Sequence, residues 1–358
     1  MSRYMSSRFD HLEEYVPGEQ PRDMQYVKLN TNESPFPPSK EVLKALSPEE
    51  ASRLNLYPDP TAKGLKERLA KRYGFEAENI FVSNGSDDIL NFAFMAFCDD
   101  SCGVTYPKIS YGFYEVYAAL YSLDAREVPL KEDFSIDISD YFNVGRTVVI
   151  ANPNAPTGLL LSKEDIRKIL DSNRDNVVLI DEAYIDFGGE SCVELVHEYD
   201  NLLVVRTFSK SRCLAGARLG FAIAQKGLIS DLEKIKFSTN PYNINRLSLL
   251  AGEAAIDSDS YYTERAKDII SAREYTVAEL KKRNFTMTDS YANFIFAKHE
   301  DVSGNDLYLE LKARGVLVRH FSKAEIADYN RITIGTKEQM TALINAVDDI
   351  LEKKGCAK

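Results

Sequence analysis

Short apolar runs, separated by stretches of helical period, dominate the first two thirds of the chain. Most of these runs are continuously apolar, which is typical of strands buried on both faces of a sheet. The pattern predicts strands at residues 80–83, 103–105, 125–128, 147–151, 177–181, 202–207 and 219–224, with helices at 87–97, 111–121 and 163–171. This alternation predicts an α/β fold whose main part is a large, doubly wound, mostly parallel seven-stranded sheet.

The pattern changes after about residue 225. A helical stretch at 262–282 is followed by candidate strands at 293–297, 316–321 and 331–334 and by a final helix at 337–353. Thr336 and Gln339 have the spacing of a capping box and mark the start of that last helix. We therefore expect a smaller α+β domain. The predicted division is an N-terminal arm with part of the small domain at 1–45, a large domain at 46–245 and a C-terminal small domain at 246–358.

Composition and charge restrict the class of partner. The chain has 358 residues, 44% of them hydrophobic, which is enough for a substantial core. It contains no apolar stretch long enough to cross a bilayer, and its N-terminal residues lack the apolar region of a secretory signal, so we expect a cytoplasmic protein. A net charge of −11 disfavours nucleic acid and leaves small molecules as the expected partners.

The cysteines are five in number and scattered, without the paired spacing of a zinc site or a disulfide framework. We expect reduced thiols and no metal at Cys98, Cys102, Cys192, Cys213 and Cys356.

Polar motifs follow four of the predicted strands. They are SNGSD at residue 83, NPNAPTG at 152, DEAY at 181 and TFSK at 207. Each motif alone has an ordinary explanation as a helix cap, a turn or a surface charge. Ligands of doubly wound sheets bind beyond the carboxyl ends of the strands, however, so the four motifs together predict one site.

The residue types at these strand ends suit one cofactor. A lysine just past a buried strand, such as Lys210, is poorly solvated, which favours the neutral, nucleophilic amine. Asp181 can keep a pyridine nitrogen protonated, and the Tyr184 phenol can bind an oxygen on the same ring. Pyridoxal phosphate needs an amine, a carboxylate and a phenol placed in this way. Its phosphate also needs helix N-terminal amides, hydroxyls and a cation, which can come from Gly85, Ser86, Asp87, Thr207, Ser209 and Arg218.

The motifs NPNAPTG, DEAY, TFSK and LAGARLG, in this order, resemble the class I/II aminotransferases of pyridoxal-phosphate fold type I over nearly the whole chain. The resemblance implies that Lys210 forms the covalent bond with the cofactor aldehyde. It also implies that Asp181 contacts the pyridine nitrogen, that Tyr184 contacts the ring hydroxyl, and that Tyr111 in SYGFY stacks on the ring.

Within this family the chain is most similar to the histidinol-phosphate aminotransferases, through YVPG, LNTNESPFPPS, LYPDP, NGSDD, VRHF and RITIGT. The resemblance implies amino transfer between histidinol phosphate and 2-oxoglutarate in histidine biosynthesis. It further implies a homodimer with a shared active site, in which Tyr57 reaches the cofactor phosphate of the other subunit. Arg319 and Arg331 are assigned to the anionic groups of the substrates, because guanidinium groups bind phosphate and carboxylate in a bidentate manner. Tyr15 is expected to contact the substrate from a covering segment.

One position departs from the family pattern. The family has an asparagine directly before the PTG turn, where it binds the ring oxygen of the cofactor, and this chain has Ala155. Three replacements are open: Asn154, Asn152, or Tyr184 acting alone. We place Asn154 among the predicted cofactor contacts.

Three other functions fit parts of the pattern. A threonine-phosphate decarboxylase would share the fold, the lysine and a phosphorylated amino substrate, and an aromatic aminotransferase would share the first two. A cofactor-binding DNA regulator would need an added helix-turn-helix domain and a basic face, and the acidic chain offers neither.

Overall fold

A computed structural model of the chain describes residues 2–355. The strands are β1 (Val27–Lys28), β2 (Ile80–Ser83), β3 (Val104–Pro107), β4 (Ala125–Val128), β5 (Thr147–Ala151), β6 (Val178–Asp181), β7 (Leu202–Thr207), β8 (Gly220–Ala224), β9 (Phe285–Met287), β10 (Phe294–His299), β11 (Val316–Leu317), β12 (Arg319–His320) and β13 (Asn330–Thr333). The α-helices are α1 (Lys40–Ala45), α2 (Pro48–Ala51), α3 (Lys63–Tyr73), α4 (Ser86–Phe97), α5 (Phe113–Leu120), α6 (Lys163–Ser172), α7 (Lys226–Thr239), α8 (Arg246–Asp257), α9 (Asp259–Lys281), α10 (Gly304–Ala313) and α11 (Lys337–Lys353).

The large sheet has seven strands in the order β2-β8-β7-β6-β5-β3-β4. The predicted mostly parallel sheet is confirmed, and β8 alone runs antiparallel, pairing with both β2 and β7. Ala151 at the end of β5 is in register with Asp181 at the end of β6. Since β2, β5, β6 and β7 point the same way, the residues that follow them meet at one edge of the sheet.

Every strand of the large sheet except the edge strand β4 is buried on both faces, which explains the continuously apolar strands. Ile150, Ile180 and Val204 pack into the core on one face. Their neighbours Val149 and Leu179 pack into a second core on the other face. Because successive strand residues point to opposite sides, each strand needs apolar residues throughout.

The second part of the chain forms an antiparallel sheet in the order β12-β13-β10-β9. The N-terminal strand β1 pairs in parallel with β11, so the N-terminal residues contribute to this part of the fold. The predicted strand at 316–321 divides into β11 and β12, which belong to different sheets. The predicted capping box at α11 is confirmed: the Gln339 N–H donates to Thr336 Oγ1 (3.3 Å), and the Thr336 N–H donates to Gln339 Oε1 (2.8 Å).

The division of the chain into domains remains a proposal. Leu249, Ala251 and Ala255 of α8 pack into a core of the large sheet, as does Tyr262 near the start of α9. Further along α9, Ile269 packs into the core of the small domain. We propose that the large domain extends past the predicted boundary at residue 245 and that α9 joins the two domains.

No helix within residues 2–355 is long and apolar enough to cross a membrane. Cys98, Cys102, Cys192 and Cys213 are free thiols, and Cys356 lies outside the described residues. In the described part of the chain, no group of three or more His, Cys, Asp or Glu side chains is placed to hold a metal ion.

Candidate active site

A cavity of about 320 Å³ lies beyond the carboxyl ends of β5, β6 and β7. Thr31, Glu33 and Ala155 contribute to its wall. Nine of the residues predicted from the sequence also line it, namely Ser86, Asp87, Tyr111, Asp181, Tyr184, Thr207, Ser209, Lys210 and Arg218. The parallel register therefore brings the motifs of four separate strand ends into one space.

Asp181 ends β6 and is only 4% exposed. Its carboxylate accepts hydrogen bonds from the Tyr114 hydroxyl (3.0 Å) and from the Ala183 N–H (3.1 Å). Burial raises the pKa of Asp181 to about 6, although both hydrogen bonds act in the opposite direction. Since both donors are neutral, the carboxylate is suited to receive a cationic group from a ligand.

Lys210 follows β7 by three residues and is half-buried at the cavity wall. Its Nζ donates a hydrogen bond to the Thr31 carbonyl oxygen (3.2 Å) and lies 5.7 Å from the centre of the Tyr184 ring. Among residues 2–355, no carboxylate is within ion-pair distance of this nitrogen. The amine is therefore held by a neutral carbonyl, which leaves it available to a ligand in the cavity.

The opposite end of the cavity is suited to an anion. Helix α4 begins at Ser86, so its first N–H groups lack partners within the helix. Gly85 precedes it with a φ of +91°, and a Cβ there would lie 2.8 Å from Arg218 Nη2. That guanidinium pairs with Asp87 Oδ2 (2.8 Å). The hydroxyls of Thr207 and Ser209 line the same cavity, which completes a set of donors for a phosphate.

The reversed direction of β8 brings Arg218 to this edge. Gly220, the first residue of β8, lies opposite both Ser83 and Thr207. A Cβ at Gly220 would lie 2.5 Å from the Ser86 backbone nitrogen. Only glycine allows this close approach between β8 and the start of α4.

Tyr111 precedes α5 and lines the cavity. Its hydroxyl donates to Asp87 Oδ1 (2.6 Å), and its ring makes an edge-to-face contact with Tyr114 at 5.7 Å. Burial, together with the nearby Asp87 carboxylate, raises the pKa of Tyr111. A neutral phenol fixed at its hydroxyl leaves the ring as a rigid surface for a flat ligand.

The segment at residues 30–33 contributes contacts that were missed in the sequence. Its backbone carbonyls accept hydrogen bonds from Arg331 Nη2 (3.1 Å) and Lys210 Nζ (3.2 Å). The Asn32 side chain donates to the Tyr184 hydroxyl (3.0 Å). The similarity of LNTNESPFPPS to a family motif was the one available signal, since carbonyl contacts leave no trace in residue type.

Three predicted cofactor contacts are not part of the cavity wall: Gly85, which directly precedes α4, and the side chains of Asn154 and Tyr57. The Asn154 amide instead joins its turn to the segment after β3, donating to Thr157 Oγ1 (3.0 Å) within the turn and to the Ile109 carbonyl oxygen (3.0 Å). Tyr57 is 79% exposed and stacks on Tyr242 with ring centres 4.6 Å apart. Within a single chain neither side chain reaches the cavity.

The predicted substrate residues lie in and around the small domain. The Tyr15 ring packs on Phe113 with centres 4.4 Å apart. Arg319 donates to the carbonyl oxygens of residues 16 and 17 (3.1 and 3.2 Å), which fixes the N-terminal segment over the small domain. Arg319 and Arg331 occupy opposite positions on β12 and β13.

Arg331 is a half-buried cation that has no acidic partner among the described residues. Burial lowers the pKa of its guanidinium, and its Nε has no hydrogen-bond partner among the described residues. Its Nη2 donates only to a carbonyl oxygen, and the group lies 5.4 Å above the Phe294 ring. An unpaired buried charge is costly, so this arrangement favours binding of an anion.

Comparison with known proteins gives the same interpretation. Residues 24–347 match the model of the family described as aminotransferase class I and II. The histidinol-phosphate aminotransferase of Brachyspira hyodysenteriae is 49% identical over 353 residues, covering 98% of this chain and 100% of that protein.

Two solved structures show the same fold. One is histidinol-phosphate aminotransferase from Sinorhizobium meliloti in complex with pyridoxal-5'-phosphate, with a TM-score of 0.84, 23% identity and 92% coverage of both chains. The other is L-threonine-O-3-phosphate decarboxylase from Porphyromonas gingivalis, with a TM-score of 0.78, 24% identity and coverage of 91% of this chain and 99% of that one. Because proteins with different activities share this fold, the family match and the full-length 49% identity decide the assignment. The chain belongs to the class I and II aminotransferase family and, within it, to the histidinol-phosphate aminotransferases.

Proposed function

We propose that this chain binds pyridoxal phosphate in the cavity and transfers an amino group between histidinol phosphate and 2-oxoglutarate. The products are the corresponding phosphorylated ketone, imidazole-acetol phosphate, and glutamate, and the reaction is reversible. The observation that carries the proposal is the half-buried Arg331, which has no acidic partner among the described residues and bonds the 30–33 segment at the wall of a cavity that also holds an amine and a carboxylate. The name of the 49% identical relative supports this substrate.

The residues of the cavity fit pyridoxal phosphate at both ends. The start of α4 with Arg218, Thr207 and Ser209 would hold the phosphate, and Asp181 would pair with a protonated pyridine nitrogen. When bound, the cofactor supplies an aldehyde that accepts amino groups and a ring that stabilises negative charge on the substrate carbon.

The chain itself supplies the proton transfer and the orientation. The Lys210 amine takes the proton from the substrate carbon that carries the amino group. The Thr31 carbonyl oxygen holds Nζ at the cavity wall, and the Tyr184 ring lies beside it. Tyr114 and the Ala183 N–H keep the Asp181 carboxylate directed at the ligand.

The two arginines of the small domain would bind the anionic groups of both substrates. Histidinol phosphate carries a phosphate, and 2-oxoglutarate carries carboxylates, so one site must accept each in turn. Arg319 and Arg331 lie side by side on neighbouring strands. Like charges in such positions repel each other, and a bound dianion offsets that repulsion.

The direct test of the substrate is an assay with two arms. We expect histidinol phosphate and 2-oxoglutarate to yield glutamate, and threonine phosphate to yield no carbon dioxide. Carbon dioxide release without glutamate formation would instead assign a decarboxylase. Transfer from aromatic amino acids, with none from histidinol phosphate, would assign the aromatic aminotransferase.

Replacing Arg331 with lysine is expected to raise KM for both histidinol phosphate and 2-oxoglutarate by about 100-fold, because a bidentate contact to a buried anion is lost. We expect a smaller effect on kcat. Steady-state kinetics with each substrate varied in turn measures the effect. A suitable control is Arg314→Lys, since Arg314 pairs with Glu310 on α10. An unchanged KM for both substrates would refute the assignment.

We further propose a homodimer in which Tyr57 completes the site of the partner subunit. The side chain is exposed in the single chain, and it belongs to the LYPDP motif that resembles the family. An exposed tyrosine held by stacking on Tyr242 is suited to an interface, where aromatic residues are enriched.

Hybrid dimers test the shared site. A subunit with Lys210→Ala and a subunit with Tyr57→Ala, coexpressed with different tags, form a hybrid with one intact site and one doubly altered site. We expect the purified hybrid to recover about half of the wild-type activity per dimer, because the symmetric interface builds each site from both chains. Activity no higher than the mean of the two parent dimers would show that Tyr57 acts within its own subunit.

A cytoplasmic location is part of the same proposal. Cys98, Cys102, Cys192 and Cys213 are unpaired in the structure, as is typical of proteins in a reducing compartment.

A further inference from the structure

Ala155 leaves the cavity wall without the amide that the family pattern places there. The two asparagines nearest in sequence do not replace it. Both oxygen and nitrogen of the Asn152 amide bind the Leu161 backbone (2.7 and 3.1 Å). The Asn154 amide is also engaged: its Nδ2 donates to Thr157 in the same turn and to the Ile109 carbonyl oxygen after β3, and its Oδ1 accepts from Ser110 Oγ (2.8 Å). Neither lines the cavity.

Asn32 supplies an amide from a different part of the chain. It is 1% exposed and has a φ of +55°, a left-handed conformation that asparagine tolerates better than most residues. Its side-chain Nδ2 donates to the Tyr184 hydroxyl (3.0 Å), and its Oδ1 accepts from Thr333 Oγ1 (3.0 Å). Its backbone carbonyl oxygen accepts from Asn293 Nδ2 (3.0 Å).

This network fixes the direction of the hydrogen bond at Tyr184. The Thr333 hydroxyl accepts from the Asn32 backbone N–H (3.0 Å), and among the described residues its own hydrogen has Asn32 Oδ1 as its one acceptor, so Oδ1 faces Thr333. Nδ2 then has to face Tyr184. The phenol oxygen accepts this hydrogen bond, which leaves its own hydrogen free to be donated into the cavity.

We propose that Asn32 is a positioning residue that compensates indirectly for the amide missing at Ala155. By donating to the Tyr184 hydroxyl oxygen, Asn32 leaves the hydroxyl hydrogen to be donated to the ring oxygen of the cofactor. Tyr184 is then the one direct donor to that oxygen, and Asn32 sets its direction. The inference rests on the proposed binding of pyridoxal phosphate but not on the identity of the amino donor. A donor to the ring oxygen stabilises its anionic form and so lowers the pH at which the bound cofactor changes colour.

The test is a double-mutant cycle read by the absorbance of the bound cofactor as a function of pH. Asn32→Asp keeps the shape and tolerates the left-handed backbone, but its carboxylate accepts the Tyr184 hydrogen instead of donating to the phenol oxygen. We expect the midpoint of the absorbance change to rise by about one pH unit or more. In the Tyr184→Phe background the same change should move the midpoint much less, because the hydroxyl that transmits the effect is gone.

Asn32→Ser provides a second, uncharged variant, since its shorter side chain does not reach Tyr184. Circular dichroism of the cofactor-free proteins shows whether each variant folds. An equal shift in both Tyr184 backgrounds would overturn the proposal in favour of a simple charge or structural effect, and so would no shift in either. Absence of any cofactor absorbance in the wild-type protein would instead refute the proposed function.

Discussion

Replacing Lys210 with alanine is expected to lower turnover by about 10⁴-fold or more, because the chain loses both its nucleophilic amine and the base that moves the substrate proton. The visible absorbance that arises from the bond between the lysine and the cofactor should disappear as well. Steady-state assays and an absorbance spectrum of the purified variant measure the two effects.

Lys210→Arg is the matched control for charge. An arginine keeps a cation near the Thr31 carbonyl oxygen but remains protonated and forms no such bond with an aldehyde. We expect it to be as inactive as the alanine variant. An arginine variant with near wild-type turnover, or a coloured and active alanine variant, would remove Lys210 from the mechanism.

Replacing Asp181 with asparagine is expected to lower kcat by about 10³-fold, since a neutral amide no longer stabilises the protonated pyridine nitrogen. The same substitution should also change how stability depends on pH in the cofactor-free protein. Burial raises the pKa of Asp181 from 3.8 to about 6. Between these values the folded protein retains a proton that the unfolded chain has released, so stability falls as the pH rises through this window.

Urea unfolding of the cofactor-free proteins measures this dependence. The free energy of unfolding of the wild-type protein, relative to that of Asp181→Asn, should fall by about 2 kcal/mol between pH 4 and pH 7. Comparing the two proteins cancels the contributions of other titrating groups, such as Glu182. A difference that stays constant over this range, or that rises with pH, would show that Asp181 is not a buried carboxylate with a raised pKa.

Much of the large sheet could be predicted from the sequence because its strands, apart from the edge strand β4, are buried on both faces. Six of its strand predictions lie within one residue of the observed bounds, and Val104–Pro107 extends two residues beyond the predicted 103–105. Several helices were not predicted, including α3, α7, α8 and α10. The polar face of α3 and the mixed composition of α7 give a weaker periodic signal than a buried strand does. The antiparallel direction of β8 goes with the connection at residues 208–219, which contains a short 3₁₀ turn and no crossover helix, and the apolar pattern alone does not show this.

In the candidate site, too, some residues could be predicted from the sequence and others could not. Residues at the ends of parallel strands were predictable, because the topology of a doubly wound sheet brings them together. The N-terminal contacts were not, since Thr31 acts through a carbonyl that every residue has, and Asn32 acts through another side chain. Asn154 differs from both: its place in a motif predicts a ligand contact, and in the structure its amide donates to the Ile109 carbonyl oxygen and Thr157 Oγ1. Whether it contacts a cofactor remains a prediction.

The segment at residues 30–33 contacts three of the groups that act in the proposed reaction. Within four residues it bonds Arg331, which is proposed to bind the substrate anion, the amine of Lys210 and the phenol of Tyr184. A rotation of the small domain that pulls on this segment would therefore displace all three groups in concert. Binding of the substrate anion and alignment of the Lys210 amine would then occur in a single conformational change.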